Sequence, residues 1–554
     1  LHGHGTHVAG SVLGSGVNSG SDPRTHSYDN SFAGAAPEAD LIFQSLGLNA
    51  GGMVFGPLDT ADLFRQAYPL GARVHTNSWG GGPDTYTATS ASIDEFIYNQ
   101  PDLVVLFAAG NSGADNDRDG VVDPRSLGDE AVAKNVITVG ACENNRPPNP
   151  QFGPRDPRNA RYGGFGFAWP PFDTDFISDN PGGLAAFSSR GPTADGRIKP
   201  DVVAPGTNVV SVWARNPATT APEAWDPWAG PYSDANPITK YCFASGTSMA
   251  TPLTAGACAL VREFFMRGGY YGRRFQPTAA LVKAILINGA RDLDPGQYGT
   301  GATREVSARP DFAQGWGRVD LANCLAPQAP RQLFLMDGVA GLTTGQFHRF
   351  AYRVRNPGAA LRITLVWTDP PGTPFAGVAL VNNLDLRVTD PSGNVTFGNN
   401  HPTGDPLNNV EGVDIPSPQV GEYEIRVIGT NVPVGAQSYA LVVTGAGDPV
   451  GGRFPDVVPP VVRFQQPVPA APPAVTTVSG ATRIEIFAAD DRPNGIDRVV
   501  LWLDDTRRLK TMYAPPYVFL WNTAGYRPGR HTLKVEAYDF GRNRAEATLD
   551  VTLR

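Results

Sequence analysis

The first 325 residues alternate short, continuous apolar runs with segments of helical period, and this alternation is the strongest constraint on the fold. Runs such as DLVVLFAAG, VAKNVITVGA and IKPDVVAPG each end in a glycine or an adjacent small residue, and DTADLFRQAY has helical spacing. Apolar runs without a polar face are typical of parallel strands that are buried on both sides. We therefore predict an α/β domain with a parallel sheet over residues 1–325, with DLIFQSL (residues 40–46) as one of its strands.

The pattern changes after residue 326. LRITLVWTD, LDLRVTDPSG, EYEIRVIGT and SYALVVTG have alternating faces and lie between turn-rich loops, which predicts an all-β sandwich over residues 326–446. The proline- and glycine-rich passage at residues 447–458 predicts an extended linker. Short strand-like segments from TRIEIFAADD to AEATLDVTL then predict a small immunoglobulin-like β-sandwich over residues 459–554.

Charge and hydropathy argue against nucleic-acid binding and against a membrane-spanning helix. The net charge is -8 and no lysine- or arginine-rich tract with interleaved aromatic residues occurs, so we expect no nucleic-acid binding. No apolar run approaches the roughly 20 residues of a membrane-spanning helix. We therefore expect no membrane span.

The four cysteines are Cys142, Cys242, Cys258 and Cys324, and none has the CxxC spacing of a zinc site. They could form up to two disulfides or remain free as small core residues. At least one disulfide is the slightly favoured expectation.

Three separate segments carry candidate catalytic side chains. In FASGTSMATPLTAGACALVREFF, Ser248 falls in the first turn of a predicted helix, where free backbone N–H groups and the helix dipole favour a developing oxyanion. HGTHVAG provides His4 and His7, and a neutral imidazole is the usual base for a serine hydroxyl. Asn111 follows the apolar run LVVLFAAG, at the strand end where α/β sheets place active-site groups, and its amide could donate to an oxyanion.

Each segment taken alone has a commoner structural role. A serine at a helix start is more often an N-cap, and an asparagine after a strand is more often a turn residue. The histidines could be capping, core or metal-binding residues, although the glutamate of a zincin HExxH motif is missing. Spacing alone does not choose between His4 and His7.

The ordered set HGTHVAG, NSWGG, AAGNSG, SSRGPTADGRIKPDVVAPG and SGTSMATP resembles the subtilisin-like serine proteases over residues 1 to about 325. The resemblance implies a three-layer α/β domain with Ser248 as nucleophile and His4 as general base. It also implies that Asn111 and the Ser248 backbone N–H bind the oxyanion. The implied activity is that of a serine endopeptidase acting on protein or peptide substrates.

The same resemblance implies where the substrate binds. An extended peptide would add as a strand beside Thr76 to Gly80, and the primary pocket would lie between two short walls. Small wall residues suggest room for a sizeable apolar side chain, although Trp79 could be either a pocket wall or a core aromatic residue. The wall residues are Ser78, Trp79, Gly80, Ala108, Ala109 and Gly110.

The third triad member of the family is an aspartate upstream of the histidine segment, and no aspartate of this chain maps onto that position. We therefore expect a truncated protease whose catalytic aspartate lies upstream of this chain. The alternative is a catalytically silent surface-binding protein built on a degenerate protease fold.

A calcium site is a further expectation. The run DNDRDG places Asp115, Asp117 and Asp119 at alternating positions before Gly120, with Asp123 four residues beyond. This resembles the first half of an EF-hand loop, but Ser126 stands where a bidentate glutamate would complete the site. We predict a structural Ca²⁺ at these four aspartates, against the alternative of an acidic surface loop.

The last two units carry resemblances of their own. LVNNLDLRVTDPSG and GEYEIRVIGTNVPVGAQSYALVVTG resemble the jelly-roll β-domain of bacterial alkaline subtilases, and YVFLWNTAGYRPGRHTLKVEAYDFGRNRA resembles bacterial immunoglobulin-like modules. These resemblances imply an extracellular or cell-surface protein. The last module would serve as a spacer or bind a cell-wall or polymer ligand, and its sequence shows no recognisable ligand site.

Overall fold

The computed structural model describes most of the chain in twelve ranges. These are residues 3–27, 31–48, 52–53, 59–149, 156–214, 230–231, 240–450, 459–469, 475–490, 496–512, 515–539 and 543–554.

The described residues contain six α-helices, all within the first 325 residues. They are α1 (His4–Leu13), α2 (Ala61–Ala67), α3 (Ala88–Asn99), α4 (Thr247–Met266), α5 (Ala279–Gly289) and α6 (Ala322–Leu325). Within these described parts, no helix is long and apolar enough to cross a bilayer.

The first unit is built around a parallel sheet, as the apolar runs predict. Its strands are β1 (Gly47–Leu48), β2 (Gly52–Met53), β3 (Val74–Asn77), β4 (Val104–Ala108), β5 (Ile137–Cys142), β6 (Val202–Pro205), β7 (Val209–Val212), β8 (Gly230–Pro231) and β9 (Tyr241–Ala244). The sheet has the order β3-β4-β5-β6, and all three pairings are parallel. Every residue of β4 and β5 is buried, because helices and other elements cover both faces.

The prediction of a strand at DLIFQSL is wrong for the described structure. Residues 40–46 form no regular element and do not pair with any described strand. Leu41 is 50% and Phe43 56% exposed. An apolar run becomes a strand only when a neighbouring strand supplies its hydrogen-bond partners.

Helices α1 and α4 connect the sheet to the candidate chemistry. α4 packs on β3, β4, β5 and β6, and α1 packs on α4 and β7. Pro252 lies in the second turn of α4 and is buried. The start of α4 therefore lies beside the strand ends that the sequence associates with function.

The second unit is a β-sandwich of two antiparallel sheets, which confirms the prediction. Its strands are β10 (Gln332–Asp337), β11 (Phe347–Val354), β12 (Leu361–Val366), β13 (Asn383–Thr389), β14 (Val395–Phe397), β15 (Val410–Ile415), β16 (Gly421–Asn431), β17 (Ala440–Gly445) and β18 (Gly447–Pro449). The sheets have the orders β10-β17-β12-β15 and β14-β13-β16-β11-β18. β18 occupies the first residues of the predicted linker, and residues 451–458 lie outside the described ranges.

The first two units share a hydrophobic core. α5 is buried along its whole length and packs against β12 and β17 of the second unit. Val282, Val366 and Val442 belong to one continuous apolar cluster. The sandwich therefore packs directly against the α/β unit at α5.

The third unit is also a β-sandwich, as predicted for an immunoglobulin-like module. Its strands are β19 (Val461–Gln466), β20 (Thr476–Val478), β21 (Ala481–Ala489), β22 (Ile496–Leu503), β23 (Arg507–Met512), β24 (Tyr517–Asn522), β25 (Gly529–Asp539) and β26 (Arg544–Leu553). Two sheets, β19-β21-β24 and β20-β26-β25-β22-β23, enclose a separate core around Trp521 and Val535.

All four cysteines are buried free thiols, so the expectation of a disulfide is not met. Burial raises the pKa of Cys142, Cys242 and Cys324 to about 12. These side chains behave as small apolar core residues.

Candidate active site

Ser248 lies in the first turn of α4 and is partly buried. Its hydroxyl donates to the backbone oxygen of Ser78 at 3.1 Å. The Ser78 hydroxyl donates in return to the backbone oxygen of Ser248 at 2.9 Å. The hydroxyl thus lies at a helix start, where the helix dipole favours a developing oxyanion.

The two histidines of HGTHVAG have different surroundings. His7 is buried, and its Nε2 lies 3.1 Å from the Val209 oxygen and 3.2 Å from the Cys242 oxygen. Burial lowers the pKa of His7 to about 4, so this ring is neutral and linked to the strands beneath α1. His4 is the first residue of α1 and is only partly buried. The geometry therefore favours His4 as the histidine that can exchange protons with a substrate.

Asn111 is exposed just after β4 and faces the start of α4. Its Oδ1 accepts hydrogen bonds from the Thr247 backbone N–H at 2.8 Å and from the Thr247 hydroxyl at 3.0 Å. Among the described residues, its Nδ2 donates no hydrogen bond. The carboxamide is therefore held through its oxygen, and its nitrogen remains available to an oxyanion beside Ser248.

The segment after β3 forms one wall of the candidate pocket. Asn77 donates from Nδ2 to the Leu106 oxygen at 3.0 Å, which fixes the end of β3 to β4. The Trp79 ring packs edge-on against Phe107 at 5.5 Å and borders the apolar cluster beneath the sheet. This contact supports the reading of Trp79 as a core aromatic residue.

The opposite wall consists of Ala108, Ala109 and Gly110. Both alanines are buried. Gly110 has a φ of 112°, and a Cβ at this position would lie 2.7 Å from the Ser189 Oγ. Glycine is required here because both the backbone conformation and the space exclude a side chain.

A third segment, residues 126–130, joins the two walls and was missed in the sequence. A Cβ on Gly110 would lie 3.8 Å from the Ser126 oxygen. At the other end, the Asp129 N–H donates to the Gly81 oxygen at 2.8 Å. Asp129 and Glu130, both partly exposed, therefore stand behind the first wall. No motif in LGDE signals this position, since it depends on pairing with residues about fifty positions earlier.

The acidic loop after Asn111 brings three of its four predicted metal ligands together. One carboxylate oxygen from each of Asp115, Asp117 and Asp119 lies within 4.8 Å of the others. The N–H groups of Asp119 and Gly120 donate to Asp115 at 3.1 and 3.2 Å. Asp123 is outside this group and accepts instead from the Asn116 side chain at 2.7 Å.

An apolar groove of about 350 Å³ lies along the outer face of α1. The exposed side chains of Leu41 and Phe43 form its other side. β3 is the edge of the described parallel sheet. The residues that line the groove are Thr6, Ala9, Gly10, Leu13, Gly14, Leu41, Phe43 and Val212.

Comparison with known proteins identifies two families along the chain. The subtilase family matches residues 1–317, and a bacterial Ig domain matches residues 460–535. The serine protease/ABC transporter B family protein tagD of Dictyostelium discoideum is 31% identical over 80% of this chain and 29% of its own length. The serine protease AprX of Bacillus subtilis is 28% identical over 56% of this chain and 58% of its own length.

The solved structure of the CspB protease of Clostridium perfringens is 17% identical, with a TM-score of 0.34 over 58% of this chain and 80% of that one. The present chain thus spans less than a third of the length of the tagD protein.

Proposed function

This chain belongs to the subtilase family, and from that premise we propose that it is a serine endopeptidase that cleaves proteins through an acyl-enzyme on Ser248. The observation that carries the proposal is the packing of three segments around α4. Ser248 lies in its first turn, Asn111 is hydrogen-bonded to Thr247, and α1, which begins at His4, packs on α4. The three segments that would supply nucleophile, base and oxyanion donor are thus linked through α4, which supports the proposal.

In the proposed reaction, the Ser248 hydroxyl breaks its hydrogen bond to the Ser78 backbone oxygen and attacks the carbonyl carbon of the scissile peptide. His4 accepts the hydroxyl proton, and the Asn111 Nδ2 and the Ser248 N–H stabilise the oxyanion of the tetrahedral intermediate. His4 then returns the proton to the leaving amine nitrogen. A water molecule, deprotonated by His4, hydrolyses the acyl-enzyme and regenerates Ser248.

The third triad residue is proposed to be an aspartate on a strand upstream of this chain. The apolar groove between α1 and residues 41–43, together with the open edge of β3, supports this proposal because an added strand would cover both. Such a strand would also give residues 40–46 a hydrogen-bonding partner. In proteases of this kind, loss of the aspartate lowers the rate by about 10⁴.

A calcium ion is proposed at Asp115, Asp117 and Asp119. The donor set fits a hard cation, because three carboxylates converge and Arg118, the nearest basic residue along the chain, stacks on Trp169. Asp123 would take part only after releasing Asn116, or through a water molecule. The ion would stiffen the loop that follows Asn111.

The proposed setting is extracellular or at the cell surface, with protein substrates. The bacterial Ig domain supports this setting, since such modules are suited to spacing and to binding a wall or polymer ligand. We propose neither nucleic-acid binding nor a membrane span.

A fluorophosphonate probe tests the nucleophile directly. The probe is applied to this chain and to a version extended upstream, and the adduct is located by mass spectrometry, with Ser248→Ala as negative control and Ser392→Ala as matched surface control. We expect fast labelling of Ser248 in the extended protein and slow labelling in this chain. A folded, extended protein with no adduct on Ser248 would contradict the proposal.

A further inference from the structure

The candidate pocket has an acidic side that the sequence does not suggest. Glu130 accepts a hydrogen bond at Oε2 from the Gly81 N–H at 3.1 Å. A Cβ built on Gly80 would lie only 3.1 Å from the same oxygen. Gly80 is one of the residues expected to contact substrate, so the carboxylate lies directly behind the substrate-binding wall.

Asp129 extends the same acidic surface by one residue. A Cβ built on Gly82 would lie 3.0 Å from the Asp129 carboxylate. Its Oδ2 accepts from the Thr87 hydroxyl at 2.9 Å. Since glycines occupy positions 80–82, no side chain of that wall stands between the carboxylates and the pocket.

Neither carboxylate forms an ion pair with any described residue. The basic groups close to this region are already neutralised: Arg125 pairs with Asp84 at 2.8 Å, and Lys134 pairs with Asp369 in the buried interface. Burial and the adjacent Asp129 raise the pKa of Glu130 to about 7. A neighbouring carboxylate and the absence of a cation thus favour the protonated form of Glu130, and a bound cation could replace that proton.

We propose that Glu130, assisted by Asp129, makes the primary pocket select a lysine or arginine side chain immediately before the scissile bond. The inference rests on the proposed peptidase function and replaces the apolar preference that the small wall residues suggested. A cationic head group would form charge-assisted hydrogen bonds with the carboxylates, and its aliphatic stem would lie between the alanine and glycine walls. An apolar side chain would leave the two partly exposed carboxylates without a counter-charge, which disfavours it.

Peptide binding tests this specificity without requiring catalysis. The Ser248→Ala variant of this chain is titrated calorimetrically with four acetylated tetrapeptides, Ala-Ala-Pro-X, where X is arginine, lysine, leucine or phenylalanine. We expect the arginine and lysine peptides to bind about 10- to 100-fold more tightly than the leucine peptide. Adding Glu130→Gln should remove most of this advantage and leave leucine binding unchanged within about twofold.

Proton release provides a second readout, which a merely structural role of Glu130 would not produce. Near pH 6.5, arginine binding should expel the proton from Glu130, so the measured enthalpy should depend on the ionisation enthalpy of the buffer. The leucine peptide and the Glu130→Gln variant should show no such dependence. Glu263→Gln, on the partly exposed side of α4, is the matched control and should bind like the parent.

Three results would overturn the proposal: equal or tighter binding of leucine, an arginine preference that survives Glu130→Gln, or no binding of any peptide to the folded protein. Failure of the peptidase function is recognised separately, by absence of the fluorophosphonate adduct on Ser248. A labelled Ser248 with an apolar peptide preference would reject the specificity and retain the peptidase.

Discussion

Ser78 and Ser248 are joined by two reciprocal hydrogen bonds, each from the hydroxyl of one residue to the backbone oxygen of the other, at 2.9 and 3.1 Å. The end of β3 is thereby tied to the first turn of α4. Only one of the two bonds must break when Ser248 attacks a substrate. The Ser78 hydroxyl can hold the helix start in place throughout the reaction.

Replacing Ser78 by alanine should therefore affect position more than chemistry. We expect a loss of about 1 kcal/mol in the free energy of unfolding and a labelling rate reduced several-fold. The reduction in labelling rate should be far smaller than the reduction caused by Ser248→Ala. Chemical denaturation and fluorophosphonate labelling of the extended protein measure both effects, with Ser392→Ala as control. An unchanged labelling rate would show that the bond has no positioning role.

The sequence predicted the strands and helices correctly where the pattern depends on neighbouring residues in the chain. The apolar runs of β4, β5 and β6, the helix that begins beside Ser248, and the alternating strands of both sandwiches all form as predicted. Residues 40–46 have an equally apolar pattern but no strand beside them, so pattern alone misassigned them. Asp129 and Glu130 escaped notice because their position depends on contacts with Gly81, 48 and 49 positions earlier in the chain.

The two histidines of α1 should respond differently to substitution. His4→Ala should abolish labelling of Ser248 and leave the free energy of unfolding nearly unchanged. His7→Ala should lower the free energy of unfolding by about 2 to 4 kcal/mol, because a buried ring is lost and the Val209 and Cys242 oxygens lose their partner. If both variants lost labelling to the same extent and had equal free energies of unfolding, the two histidines would not have these separate roles.

His7 should also give the protein a specific pH dependence. Its pKa is about 4 in the folded protein and about 6.5 when unfolded. Between these values the unfolded chain binds more protons, so the stability due to His7 is present above pH 6.5 and is lost as the pH falls toward 4. The difference in unfolding free energy between the parent and His7→Gln should thus rise by about 3 kcal/mol from pH 4 to pH 6.5. Because other titrating groups are common to both proteins, a difference that does not change with pH would contradict the assignment.

The second unit should be required for the stability of the first. Lys134 is fully buried and pairs with Asp369, and it also donates to the Pro370 and Ala379 oxygens at 2.6 and 2.9 Å. Asp369→Ala leaves this cation buried without its counter-charge and should cost about 3 to 5 kcal/mol in denaturant unfolding. Glu422→Ala, which breaks the exposed Arg353–Glu422 pair, should cost less than about 1 kcal/mol. Equal losses would show that the buried pair has no special role.

The acidic loop should bind a luminescent calcium analogue that Trp169 reports on. The Trp169 ring stacks under the Arg118 guanidinium at 4.5 Å, so tryptophan excitation should sensitise terbium held by Asp115, Asp117 and Asp119. Calcium should displace the terbium, and saturating calcium at about 100 times its dissociation constant should stabilise the fold by about 2.7 kcal/mol. Asp117→Asn should abolish both effects. Trp169→Phe should remove the luminescence and keep the calcium stabilisation, whereas Asp505→Asn in the third unit should change neither. Sensitised emission that survives Asp117→Asn would place the ion elsewhere.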